Sequence, residues 1–425
     1  MYETFYHNLP NGLQIVHRKT TSPVVYVGIM VGAGTRHELP NENGMAHYIE
    51  HCVFKGTQHY TARQIINHIE GIGGEINAYT TKEETTFYAA TLRQHFRTTL
   101  HLLADMVLRP TFHKKETDKE LTVILDEIES YNDSPSELIY DDFENMIFEG
   151  SSLAMPILGT KRTLRHISKS PDIALRWMQQ HYRPDRMVLF VLGNVTTQQV
   201  ISAAEKELLA SSPYRLIAPS PIANSEASHS PQGVQYPIAA PAASNTRLYR
   251  RHTHQTHIML GSHAYPIGHP KQLTMYLLNN ILGGGSMSSR LYLSLREKYG
   301  LVYNIDSQAV PLSDTGYWNI YLACEPQHKD PCLELCHKEL KQLRDTALTS
   351  SQLQRALRQL EGQMAISAEN QENNALAMAK QMLYHHHAPA WQETFAKVQK
   401  ITPEQLQDVA NEVFAPEKIY TLLYD

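Results

Sequence analysis

His47, Glu50 and His51 occur in the order His47-Tyr48-Ile49-Glu50-His51, a spacing that on a helix brings two imidazoles and one carboxylate to a single patch. At about 100° per residue, His47 and His51 are about 40° apart, and Glu50 is about 60° to the other side of His47. Two neutral ring nitrogens one turn apart can both reach a zinc ion at about 2.0–2.1 Å, while the adjacent carboxylate touches a metal-bound water and acts on its proton. The segment is the inverted form of the His-Glu-x-x-His arrangement. Glu50 is therefore read as a general base and not as a ligand.

With 23 His in the chain, the pentapeptide alone is a modest signal, and a catalytic tetrahedral site needs a third protein ligand with the fourth position left to water. The sequence offers one. From about Thr111 to Asp133 it reads as a long amphipathic helix with Leu121, Ile124, Leu125 and Ile128 as the apolar stripe. Glu120 and Glu127, seven residues apart, fall on one line beside that stripe. Asp126 points well away and Glu129 lies along the opposite edge, so Glu127 is the expected ligand and Glu120 its supporting partner.

Other elements must hold these two helices in place. Val24 to Val31 is an apolar β-rich run, Thr61 reads as the cap of a helix to about Ile72, and Thr85 to Leu92 reads as a strand. Helical patterns follow at about 94–108 and 113–131, and the apolar run Met187 to Leu192 closes the first half. The second half repeats strand, helix and strand from His257 through a helix at about 271–282. This order predicts an α+β fold with a sheet and helices packed together in each half. Between Pro213 and Ser244 lie six of the 22 Pro, with many Ala and Ser and little periodicity, which predicts a linker at 213–244 between domains at 1–212 and 245–425.

The combination His47-x-x-Glu50-His51 with Glu120 and Glu127 resembles the pitrilysin/insulinase family of zinc peptidases. Gly32-Ala33-Gly34-Thr35-Arg36, Phe54-Lys55-Gly56-Thr57 and Gly73-Gly74-Glu75-Ile76-Asn77-Ala78-Tyr79-Thr80 are similar to that family's amino-terminal domain, and Pro156-Ile157-Leu158-Gly159 and Tyr182-Arg183-Pro184 to its later part. Gly283-Gly284-Gly285, Ser288-Ser289-Arg290-Leu291, Leu295-Arg296-Glu297-Lys298 and Gly300-Leu301-Val302-Tyr303 resemble the subgroup that includes mitochondrial processing peptidase and bacterial relatives. The resemblance covers essentially the whole chain. It implies two similar domains, each a mostly antiparallel sheet packed with helices, only the first of which holds metal.

It further implies one zinc ion on His47, His51 and Glu127, an endopeptidase acting on extended peptides or small unfolded polypeptides, and Arg296 and Tyr303 as groups that contact substrate and help bind its carbonyl. Asn77 and Ala78 match the family's edge-strand segment, whose backbone pairs with substrate by strand addition. A two-domain chain carrying both complements implies a homodimer, with a heterodimer formed with a metal-free paralogue as the alternative. A peptidase dedicated to one precursor and a catalytically silent structural subunit are further alternatives, although all five motif residues are present. Manganese or cobalt could replace zinc in vitro.

Composition narrows the function classes. The net charge is −5 and no Lys/Arg block stands out, which excludes an obvious nucleic-acid surface. The amino terminus lacks a basic region followed by an apolar core, and no stretch of about 18 apolar residues occurs, so a cytoplasmic protein without a membrane partner is expected. Four Cys, at 52, 324, 332 and 336, provide no disulfide framework. Cys332-x-x-x-Cys336-His337 reads as two small core residues on a helix. His252, His254 and His257 cannot share one strand face, and His385-His386-His387 has no accompanying carboxylate, so neither group is expected to be the metal site. The glycine run 283–285 lacks a phosphate-binding spacing and reads as a tight turn.

Overall fold

The computed structural model describes residues 3–209, 245–251 and 253–425, and these form two compact units. The expected linker at 213–244 lies outside the described residues, as does His252.

The first unit is built on strands β1 (Thr4–Asn8), β2 (Gln14–Lys19), β3 (Val24–Val31), β4 (Glu75–Thr80), β5 (Thr85–Leu92) and β6 (Met187–Gly193). Their order in the sheet is β1-β2-β6-β3-β5-β4, with β2 and β6 parallel and every other pair antiparallel. All seven β6 residues are buried, as expected for a strand covered on both faces. Its side chains alternate between two cores. Met187, Leu189 and Val191 join a core shared with the motif helix Met45–Val53 and the helix Phe96–Leu108. Val188, Phe190 and Leu192 join Val16 and Met30 on the opposite face. That opposite face is covered by Ala375, Met378, Ala379 and Met382 of the helix Gln371–His385, which comes from near the end of the chain.

The second unit is built on β7 (Thr246–Tyr249), β8 (Thr256–His263), β9 (Val302–Pro311), β10 (Gly316–Cys324) and β11 (Tyr420–Tyr424), in the order β7-β11-β8-β10-β9. Only β7 and β11 are parallel. Strand for strand this repeats β2-β6-β3-β5-β4, so the two units share one topology and the first adds β1 at its edge. Helices Gln272–Leu282 and Lys329–Asp345 lie in the core on one face of the second sheet. On its other face Ile139, Phe143, Met146 and Ile147 of the helix Pro135–Ile147 pack with Met259, Tyr317 and Leu422.

Each unit therefore includes one helix drawn from the other half of the sequence. Residues 130–154 cluster with the second unit and 367–389 with the first, so the compact units are not contiguous stretches as a division at 1–212 and 245–425 describes. Among the described residues, no helix is long and apolar enough to cross a membrane.

One buried histidine in the first sheet makes stability depend on pH. His17 on β2 is 1% exposed, its Nδ1 lies 3.0 Å from Thr197 Oγ1, and burial, aided by the charge of Lys19, lowers its imidazole to about 4. A folded value below the unfolded one means that protonation favours unfolding. The stability gained from the neutral ring is present above pH 6.5 and lost as pH falls toward 4. The unfolding free energy measured in urea should drop across that window by up to about 1.4 kcal/mol per pH unit for this group, and His17→Gln should flatten the profile. An unchanged slope in the variant would assign the acid sensitivity elsewhere.

Candidate metal centre

Three local features set the motif helix in position. Gly44 precedes it with φ 91°, a left-handed conformation that favours glycine, and a Cβ there would come within 2.8 Å of the Gly159 Cα. That close approach is how Pro156-Ile157-Leu158-Gly159 touches the motif. No side chain at the cap position bonds the first turn. Glu38 does so instead: one carboxylate oxygen accepts from Gly44 N–H at 2.8 Å and from Asn43 Nδ2 at 3.2 Å, and the other accepts from Ala46 N–H at 2.8 Å. Burial pushes the Glu38 carboxyl up to about 8 despite these donors. Finally, Met45, Ala46, Tyr48, Ile49, Cys52 and Val53 anchor the helix in the first core.

The helix directs His47 and His51 to one side, with ring centroids 4.6 Å apart. The helix Lys114–Asn132 buries Ile124 and Ile128 and leaves Leu121 and Leu125 half-buried, as its stripe predicts. It brings Glu127 Oε2 to 3.7 Å from His47 Nε2 and 3.4 Å from His51 Nε2. Among the described residues these three are the only group of at least three His, Cys, Asp or Glu side chains with convergent ligand atoms, all within 4.8 Å of one another.

The donor set fits zinc. At bond lengths of about 2.1 Å, the edge of a tetrahedron is about 3.4 Å, close to the two separations seen. Burial and the neighbouring His51 lower the His47 imidazole to about 4, so it is a neutral ligand at pH 7. Burial alone would lower His51, but hydrogen bonds to Glu127 and Glu120 carry it above its ordinary value, so metal binding there displaces a proton. The hydrogen bond from His51 holds Glu127 below the usual carboxylate range against burial. The Glu127 side chain is 42% exposed, which leaves the site open to water and ligand.

Partners of these groups extend the site. Glu120 Oε1 lies 2.9 Å from His51 Nδ1, which places the proton of the neutral ring on Nδ1 and the lone pair on Nε2, toward Glu127. The other Glu120 oxygen pairs with Lys55 Nζ at 2.7 Å. Glu50 accepts a 2.6 Å hydrogen bond from the Thr80 hydroxyl at the end of β4, and burial raises its carboxyl above the usual range. Glu38, Lys55 and Thr80 were not expected from sequence. Each reaches the site through contacts across 6 to 65 residues, a separation that helical periodicity does not address.

Glu120→Gln keeps the side-chain shape and removes the charge between His51 and Lys55. Zinc affinity should weaken by about 10- to 100-fold in competition with a chelating dye. Affinity equal to the wild type would mean that Glu120 serves only the helix packing.

Asn77 and Ala78 lie on β4, which among the described residues pairs only with β5 and forms the edge of the first sheet; Asn77 is exposed and Ala78 packs toward the core. Arg296 and Tyr303 are together on the second unit, the guanidinium 5.2 Å from the Tyr303 ring and 4.8 Å from the Tyr292 ring. Tyr303 is 81% exposed. The rival histidines are engaged otherwise: His257 Nδ1 with the Tyr321 hydroxyl at 2.9 Å, and His386 Nδ1 with Gln14 Oε1 at 2.9 Å.

Comparison with known proteins places this geometry in context. Residues 14–161 match the family described as Insulinase (Peptidase family M16), and residues 170–360 match the Peptidase M16 inactive domain. The chain is 31% identical over 415 residues to the uncharacterised zinc protease YmxG of Bacillus subtilis, covering 97% of this chain and 96% of the relative. It is 24% identical over 408 residues to the mitochondrial-processing peptidase subunit beta of Pongo abelii, covering 94% of this chain and 80% of that one. A crystal structure of a protease from Helicobacter pylori superposes with TM-score 0.86 at 20% identity over the full length of both chains, which establishes the likeness of fold.

Proposed function

The chain belongs to the insulinase family of zinc proteases, peptidase family M16, and on that premise we propose that it is a zinc-dependent endopeptidase acting on extended or unfolded peptides. The observation that carries this reading is the approach of His47 Nε2, His51 Nε2 and Glu127 Oε2, with Glu50 held beside them by Thr80. Zinc held by His47, His51 and Glu127 would polarise the scissile carbonyl and acidify water at the site.

The chain's own groups then handle the proton and the substrate. Glu50 takes the proton of the attacking water and passes it to the leaving amine, so each turnover returns the carboxylate to its starting state. Thr80 keeps that carboxylate oriented. Glu120 fixes the His51 ring through Nδ1, and Lys55 holds Glu120. The free edge of β4, at Asn77 and Ala78, receives the peptide main chain as an added strand. Because main-chain pairing reads little of the side chains, selectivity for sequence is weak. Arg296 and Tyr303 contact the substrate and donate to its carbonyl oxygen as charge develops there. The active assembly is a homodimer, with a metal-free paralogue as the alternative partner.

The test is cleavage of a quenched, unstructured peptide of about 10–20 residues by the purified protein. Activity that a chelator removes and stoichiometric zinc restores supports the reading. A protein that carries one zinc per chain yet cuts no peptide, alone or with candidate partner chains, overturns it.

A further inference from the structure

We propose that the first unit binds a small monovalent anion of the chloride type at Arg186, beside His37, His181 and Trp177. This site is separate from the metal centre and does not rest on the peptidase reading.

Arg186 stands just before β6 and is half-buried, yet among the described residues no carboxylate lies within ion-pair distance of its guanidinium. Its neighbour Asp185 is engaged by Arg183 through two contacts, at 3.0 and 2.8 Å. The nearby Arg36 is already paired with Glu83. The side-chain contact Arg186 does make is to a neutral group, with Nη1 3.4 Å from His181 Nδ1. His181 in turn lies with its ring centroid 4.4 Å from that of Trp177 and 5.9 Å from that of His37.

Two further donors in this cluster are unmatched. Trp177 is 2% exposed and its Nε1 has no hydrogen-bond partner. His37 is 8% exposed, and its Nε2 is likewise unpartnered. The His37 Nδ1 lies 3.1 Å from Gly34 N–H and 3.3 Å from the Gly34 carbonyl oxygen. The shorter contact makes Nδ1 the acceptor, so the proton of the neutral ring is on Nε2 and forms a buried N–H without an acceptor. Burial, with the charge of Arg186 next, lowers His37 to about 3 and His181 to about 4, so both act as neutral donors near pH 7.

Buried unpaired donors beside a cation whose neighbouring carboxylate, Asp185, is held by Arg183 call for an acceptor that also carries charge. Water satisfies the N–H groups but leaves the guanidinium without a counter-ion. One formal positive charge among neutral rings matches a monovalent anion, whereas phosphate or sulfate at pH 7 would leave excess negative charge in a desolvated site.

The test uses the full-length protein in chloride and in gluconate at equal ionic strength, with Arg186→Met alongside. The expected result is excess broadening of the ³⁵Cl resonance by the wild type, reversed by competing bromide, and a thermal midpoint about 3 °C higher in about 100 mM chloride than in gluconate. Both effects should vanish in Arg186→Met. If that variant does not fold, Trp177→Phe decides, because it keeps the cation and removes one donor; its chloride affinity should fall by about 3- to 10-fold. Equal midpoints in both salts with no excess broadening in the wild type would mean that water alone fills the cluster, and the proposal fails. Broadening that persists undiminished in the variant belongs to another site and overturns the assignment equally.

Discussion

Glu50→Gln is expected to lower kcat/KM for a quenched peptide by at least about 10³-fold, equivalent to about 4 kcal/mol of transition-state stabilisation, with one zinc per chain still bound. The substitution is chosen for what it leaves intact. Glu50 is outside the group of three ligand atoms, so its loss does not remove a metal bond. The amide oxygen of Gln still accepts the Thr80 hydroxyl, so the side chain stays where the carboxylate stood. What disappears is the ability to accept a proton. Retained zinc with lost turnover assigns Glu50 to proton transfer. Turnover within about tenfold of the wild type removes it from the chemistry and makes its burial beside the histidines a structural matter.

Glu38→Ala should destabilise the first unit by about 2–3 kcal/mol at pH 6, because two backbone N–H groups at the start of the motif helix lose their acceptor inside the protein, while the Asn43 amide keeps only its bond to the Pro156 carbonyl. The effect depends on pH in a defined direction. The folded carboxyl is pushed up to about 8 from an ordinary 4.5, so it holds its proton more firmly folded than unfolded. Its contribution is therefore complete below about pH 4.5 and declines as the pH rises through 8. The gap between wild type and variant in urea unfolding should narrow from pH 6 to pH 8. A gap that widens over this range would show that the carboxylate form is the one the helix terminus stabilises. Zinc affinity is a second readout, since the same helix carries His47 and His51.

The parts of the site that follow from local periodicity were legible in the sequence. His47 and His51 fall one turn apart because the helix demands it, and Glu127 emerges beside an apolar stripe whose Ile124 and Ile128 are buried as expected. Strands Val24–Val31 and Thr85–Leu92 coincide with the apolar runs read from the chain. The Thr61 cap is in place, with its side chain accepting from Gln64 N–H, although the helix ends at Glu70, two residues before the expected Ile72. Tertiary partners were not legible. Nothing in the neighbourhood of Glu38 says that its carboxylate turns back onto Gly44 and Ala46, and nothing in β4 says that Thr80 meets Glu50. The helix Gln371–His385 carries an apolar face, but the sheet that this face covers lies in a segment nearly two hundred residues earlier. Periodicity identifies a buried face without naming its partner.

That distant helix has a consequence for how the protein is made. As the chain leaves the ribosome, β1 to β6 are complete once Gly193 emerges, yet Val16, Met30, Val188, Phe190 and Leu192 still lack the residues that cover them. The nascent first sheet remains apolar on one face for about another 190 residues of synthesis, roughly 10–40 s at ordinary elongation rates. During this interval the helix Pro135–Ile147 also waits for β8, β10 and β11. Neither half can reach its native state before the other is nearly finished, so premature termination in the second half leaves a sticky, aggregation-prone product in place of a smaller folded protein.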